Sequence, residues 1–124
     1  FGGDGADQMT GGAGVDVVHG GAGNDVFDAS IFFPSVSEDS IFGDAGDDRF
    51  VLGGIAADAI LIDGGADFDT VAVINNTGSP TFDLSATSFL RIELMTFDQV
   101  NTVVVGPGAL QGIAAIDKVL QVGF

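Results

Sequence analysis

Gly2-Gly3-Asp4-Gly5-Ala6-Asp7-Gln8-Met9-Thr10, Gly11-Gly12-Ala13-Gly14-Val15-Asp16-Val17-Val18-His19 and Gly20-Gly21-Ala22-Gly23-Asn24-Asp25-Val26-Phe27-Asp28 are three uninterrupted copies of one nonapeptide, G-G-x-G-x-D-x-apolar-x. After an irregular stretch from Ala29 to Glu38, Asp39-Ser40-Ile41-Phe42 restores the phase and Gly43 to Val51 supplies a further copy. Two weaker copies follow, Gly53 to Leu61 with Ala56 in place of the third glycine and Gly64 to Ala72 with Asp67 there. Each copy reads as a glycine loop followed by a minimal strand whose middle side chain points inward. Those inward positions are Met9, Val18, Phe27, Ile41, Phe50, Ile60 and Val71, all apolar. A flexible linker has no reason to place an apolar residue two positions after each periodic aspartate.

If successive strands lie on opposite faces, two nonapeptides make one turn and the sixth-position aspartates align along two edges. One edge then carries Asp7, Asp25, Asp48 and Asp69, and the other Asp16, Asp39 and Asp58. Two carboxylates plus inward-turned carbonyls of loop glycines make an all-oxygen cage, which suits Ca²⁺ better than the more reluctantly dehydrated Mg²⁺. The glycines in question are Gly2, Gly5, Gly11, Gly14, Gly20, Gly23, Gly43, Gly46 and Gly64, and the gaps between turns provide for three to five calcium ions. The loop before Asp39 has Pro34 and no glycine, and that before Asp58 lacks its third glycine, which weakens the gaps they line.

Composition agrees with a cation partner. Among 124 residues, three Lys and Arg stand against eighteen Asp and Glu, a net charge of −15, while 46% are apolar. Such a chain must segregate a core from dense acidic surface clusters. With only Arg49, Arg91 and Lys118 as basic residues, it has no patch for nucleic acid or anionic lipid. The absence of cysteine removes disulfides and thiolate chemistry, and no apolar stretch reaches the length of a membrane span. A single His with no Tyr or Trp leaves little catalytic equipment, so the expected class is not an enzyme.

The repeats resemble those of the repeats-in-toxin (RTX) family of secreted bacterial proteins over roughly Phe1 to Ala72. The resemblance implies a right-handed, all-β parallel β-roll, with calcium ligation by Asp7, Asp16, Asp25, Asp48 and Asp69. It further implies type I secretion to the extracellular space or cell surface and folding there on meeting calcium. A chain opening at Phe1 inside the pattern reads as a fragment of a larger protein, with that protein's other domains as partners.

Composition changes after Ala72. One basic and fourteen acidic residues lie up to that point, against two and four beyond. Residues 1–72 therefore read as the repeat β-roll, and residues 73–124 as a β-solenoid continuation and cap. Short β-type runs at 71–74, 82–84, 91–97 and 102–105 support this, with one helical turn expected over 109–116 and a last strand over 118–122. Outward Val17, Val26, Val51 and Leu61 are unusually apolar and predict that something covers their face. The function expected is a calcium-binding structural module that folds after export. The alternative is an interaction module of an RTX adhesin or surface-layer protein, self-associating with calcium.

Overall fold

The computed structural model describes residues 1–10, 12, 14–28, 38–53, 60–74, 81–98, 102–105 and 111–118. Every regular element among them is a strand. In chain order these are β1 (Gly3–Asp4), β2 (Gln8–Met9), β3 (Val17–Ala22), β4 (Val26–Asp28), β5 (Ser40–Ala45) and β6 (Arg49–Gly53). They continue as β7 (Leu61–Ala66), β8 (Thr70–Ile74), β9 (Thr81–Leu84), β10 (Ser88–Leu90), β11 (Ile92–Asp98), β12 (Thr102–Val105) and β13 (Ile113–Lys118).

The strands alternate between faces and pair only with strands one turn away. One sheet has the order β1-β3-β5-β7-β10, the opposite sheet β13-β11-β8-β6-β4-β2, and all pairings are parallel. This is the expected all-β, parallel β-roll. A third sheet pairs β9 with β12, so after β8 each turn acquires a third side.

In-register stacking places like upon like. The column Phe27, Phe50, Val71 and Met95 runs through one sheet, and Ile41, Ile62 and Phe89 face it from the other. All seven are buried. Phe27 and Phe50 stack with centroids 4.8 Å apart and planes 8° from parallel, which is the spacing of adjacent strands. As the strands lengthen, a second buried column of Leu52, Val73 and Phe97 joins the core.

Two expectations need correction. Ile60 is buried, yet Leu61 pairs with Ser40 and Ile62 with Ile41, so Ile62 holds the inward strand position. The sequence period slipped by two residues here, because a strand register follows the fit of its buried side chains rather than a nine-residue count. The helical turn is replaced over its described part by β13, where pairing of Ile113 and Ala115 with Ile92 and Leu94 outweighs the helix propensity of the alanines. The end of the final expected strand, 119–122, lies outside the described residues. Outward apolar residues alternate with polar ones along the columns: Ser40 separates Val17 from Leu61, and Arg49 and Thr70 separate Val26 from Leu94.

Phe50 is fully buried between Phe27 and Val71. Replacing it with Ala should cost about 3–5 kcal/mol, read from urea unfolding of the folded chain. Val15→Ala, at a site 71% exposed, should change stability by less than about 0.5 kcal/mol.

Candidate cation site

The corner joining the two main sheets repeats at each turn with one geometry. Its sixth-position aspartate donates its backbone N–H to the carboxylate of the equivalent residue one turn on. Asp7 donates to Asp25 Oδ1 at 2.8 Å, Asp25 to Asp48 Oδ1 at 2.8 Å and Asp48 to Asp69 Oδ1 at 2.9 Å. The carbonyls of Asp7, Asp25 and Asp48 accept from the N–H of Val26, Arg49 and Thr70, each at 2.9 Å. Every aspartate is thus bound to the next turn on both sides of its own Cα.

Only one oxygen of each carboxylate is used this way. The Oδ2 atoms of Asp7, Asp25, Asp48 and Asp69 are buried and have no hydrogen-bond partner. Each faces the first glycine of its own loop, and beyond that glycine lies the carbonyl of the first loop residue of the next turn. A Cβ on Gly2 would stand 2.6 Å from both Asp7 Oδ2 and the Gly20 carbonyl. The equivalent Cβ at Gly43 would strike Asp48 Oδ2 and the Gly64 carbonyl, so only a residue without a side chain fits. At Gly23, the third glycine, φ is +130° and an added Cβ would meet the Gly5 carbonyl, which again demands glycine.

Orphaned carboxylate oxygens beside close-set carbonyls are a donor set for a hard cation. Among the described residues no three His, Cys, Asp or Glu side chains gather in one cluster. Each gap therefore offers at most two carboxylates, and carbonyls must complete the shell. Burial and the neighbouring charges act against ionisation here. Desolvation, reinforced by Asp25, Asp44 and Asp47, pushes the Asp48 carboxyl up to about 6. Desolvation with Asp48 and Glu93 does the same to Asp69, again to about 6.

On the opposite edge Asp16 donates its N–H to Asp39 Oδ1 at 2.9 Å, and Asp16 Oδ2 is left without a partner. Gly14 stands in this loop with φ +117°. The ladder stops after Asp39, because the residue next in register is Ile60, followed by Thr87. This is a correction to the expected Asp16, Asp39, Asp58 alignment: the rung is taken by an apolar side chain, while Asp58 itself, like Gly11, lies outside the described residues. Gly5, Gly20 and Gly46 occupy the same loop positions as their counterparts on the first edge.

The sequence reading missed Glu93. It lies one residue before Leu94, which pairs with Thr70, so it is level with Asp69. Glu93 Oε2 accepts the Asp69 N–H at 2.7 Å and takes the place of the next aspartate. Its corner is contracted to Arg91 alone, at φ +49°, so no glycine signature marks it. Asp63 holds the Arg91 guanidinium with both carboxylate oxygens. Asp47 Oδ1 accepts the Phe68 N–H at 2.9 Å. Asp44 replaces a glycine at φ +74°, and its Oδ2 is 3.0 Å from His19 Nδ1.

Comparison with known proteins agrees with this construction. The family model of the RTX calcium-binding nonapeptide repeat matches residues 1–31 and 37–54 in four copies. No curated protein and no solved structure gives a match. The matched segments contain the corners of Asp7, Asp16, Asp25 and Asp48, whereas Asp69 and Glu93 fall beyond them. Residues 1–31 and 37–54 are four RTX calcium-binding nonapeptide repeats, and the β-roll is a calcium-binding structural module.

Proposed function

We propose that calcium enters the gaps between successive corners and that its binding is what folds the array. The observation that carries this reading is the row of buried, unpartnered Oδ2 atoms on Asp7, Asp25, Asp48 and Asp69. Asp16 and Asp39 line the corresponding gap on the other edge. Neighbouring carboxylates about one strand spacing apart, roughly 4.8 Å, repel by about 3 kcal/mol at an effective dielectric of about 20. Without a cation that repulsion, together with the conformational entropy of the glycine loops, favours the unfolded chain. A bound Ca²⁺ supplies the positive charge. The residues themselves set the loop curvature, present the carbonyls and hold each carboxylate by its Oδ1.

Taking a dissociation constant of about 10⁻⁴ M and about 1 mM calcium outside cells, each independent site contributes about 1.4 kcal/mol. At sub-micromolar cytosolic calcium the same site contributes almost nothing. The chain is then loose inside the cell and rigid outside, which fits export in an unfolded form, by a type I system, as part of a larger secreted or surface protein. The role is structural and not catalytic, since the periodic carboxylates are engaged in the corners. Interruption of the outward apolar residues by polar ones favours this over an assembly surface.

Far-ultraviolet circular dichroism should report little β-structure in excess chelator and a cooperative gain with CaCl₂ but not MgCl₂. A chain equally folded in chelator would refute calcium-linked folding.

Asp48 lines two gaps, one towards Asp25 and one towards Asp69. Asp48→Asn should therefore raise the calcium concentration at the folding midpoint by at least about tenfold. Asp44→Gly, which preserves the left-handed backbone and removes a carboxylate outside the ladder, should shift it less than about twofold.

Protons compete with calcium at the same oxygens. Asp48 and Asp69 rise from 3.8 to about 6 in the folded chain, so between those values the folded state binds more protons than the unfolded one. Stability of the metal-free chain should thus be greatest below pH 4 and fall as pH rises towards 6. The calcium-loaded chain should behave oppositely, needing more calcium at pH 5 than at pH 7. Calcium titrations at both pH values check the sign.

A further inference from the structure

We infer that the ladder has one more divalent-cation site than its aspartates provide, formed between Asp69 and Glu93, where the repeat array joins the three-sided segment that follows. This inference rests on the calcium reading above and extends it to a residue outside the repeat motif.

The gap repeats the construction of the others with different parts. Asp69 is fully buried, and its Oδ2 has no hydrogen-bond partner. Gly64 provides the empty volume: a Cβ there would strike both Asp69 Oδ2 and the Arg91 carbonyl. That carbonyl stands where the next turn's glycine carbonyl stands in the earlier gaps. Glu93 supplies the second carboxylate, with Oε2 receiving the Asp69 N–H. Its extra methylene compensates for a corner reduced from the six residues of Gly64 to Asp69 to the three of Arg91 to Glu93. Arg91 is held at its unusual φ of +49° by the two-point pairing of its guanidinium with Asp63, whose side chain is 8% exposed. The pair thereby aims the Arg91 carbonyl into the gap. Asp63 and Arg91 are positioning residues, while Asp69, Glu93 and the Arg91 carbonyl face the cation.

The consequence is a cation clasp across a boundary that hydrogen bonds alone would leave acidic on both sides. Calcium bound there orders β11 along with the repeats, so the metal reaches the segment that carries no glycine motif.

Equilibrium dialysis of the full chain against CaCl₂ tests the clasp, comparing the unaltered chain, Glu93→Gln and Glu38→Gln. Glutamine keeps an oxygen for the Asp69 N–H and removes only the charge. Glu38 is exposed and in no ladder, so its variant controls for net charge. Glu93→Gln should bind one ion fewer at 1 mM calcium, or bind one ion at least about tenfold more weakly, with Glu38→Gln unchanged. Equal stoichiometry and affinity in Glu93→Gln would overturn the clasp while leaving the other gaps standing. Absence of calcium binding in the unaltered chain would instead overturn the reading on which it rests. Should Glu93→Gln not fold, hydrogen exchange of the unaltered chain decides. The amides of Glu93 to Met95 should become protected on calcium addition, and no change there would overturn the clasp.

Discussion

The hydrogen bond from each corner aspartate's peptide to the carboxylate one turn on is the constraint from which the rest of this structure follows. A coil that turns sharply at a corner takes its peptide N–H out of the sheet ladder, and a buried N–H requires an acceptor. Carboxylate oxygens provide it at 2.8–2.9 Å along the whole edge from Asp7 to Asp69. That solution commits a charge to the interior at every turn. It leaves the second oxygen with no donor and sets it near its neighbours above and below. A side chain recruited to satisfy the backbone thus creates an electrostatic debt that only a cation or a proton can settle. The raised carboxyls of Asp48 and Asp69 express the proton side of that choice, and the adjacent carbonyls the cation side.

The first glycine and the sixth-position aspartate of the motif are consequently one feature. Any side chain at Gly43 would occupy the space shared by Asp48 Oδ2 and the Gly64 carbonyl. The other two glycines take a left-handed backbone and, as at Gly21 and Gly23, pack against the backbone of a neighbouring turn, yet aspartate replaces one of them in two copies. Asp44 at φ +74° and Asp67 at φ +83° stand in the left-handed positions that glycine fills elsewhere. Aspartate is among the few residues that adopt that region at modest cost. Loss of glycine at those places weakens the motif in the sequence without breaking the corner.

These exceptions explain how far the sequence could be read. Phe27, Ile41, Phe50 and Val71 follow directly from the period, because stacking in register forces apolar onto apolar. The ladder from Asp7 to Asp69 follows for the same reason. Ile60 does not, since the copy before it departs from the motif, with Ala56 for the third glycine, and burial of Ile62 beneath Ile41 decides the pairing. Glu93 was hidden more thoroughly. Its three-residue corner shares no spacing with the nonapeptide, its residue type differs, and its alignment with Asp69 is visible only through the pairing of Leu94 with Thr70. An acidic residue within the β-type run 91–97 was the only available signal, and it was too common to act on.

The two halves of the solenoid meet the requirement of a core by different means. In the earliest turns the strands of the second sheet are short, β2 having two residues and β4 three, so each contributes a single inward side chain. The remaining cohesion must come from the corners. From β8 onward the second sheet's strands reach five and seven residues, a third side closes the turn, and Leu84, Ile92 and Met95 are buried, with Glu93 ending the carboxylate ladder. A linear array is stabilised by contacts between neighbouring turns, so an interface that couples weakly would let the halves unfold separately. Here that interface carries Asp63 with Arg91 and Asp69 with Glu93, beside the buried stacks of Val71 on Met95 and Val73 on Phe97. On the calcium reading proposed above, a cation between Asp69 and Glu93 would strengthen that coupling. The apolar turns then offer a template against which the metal-dependent turns add.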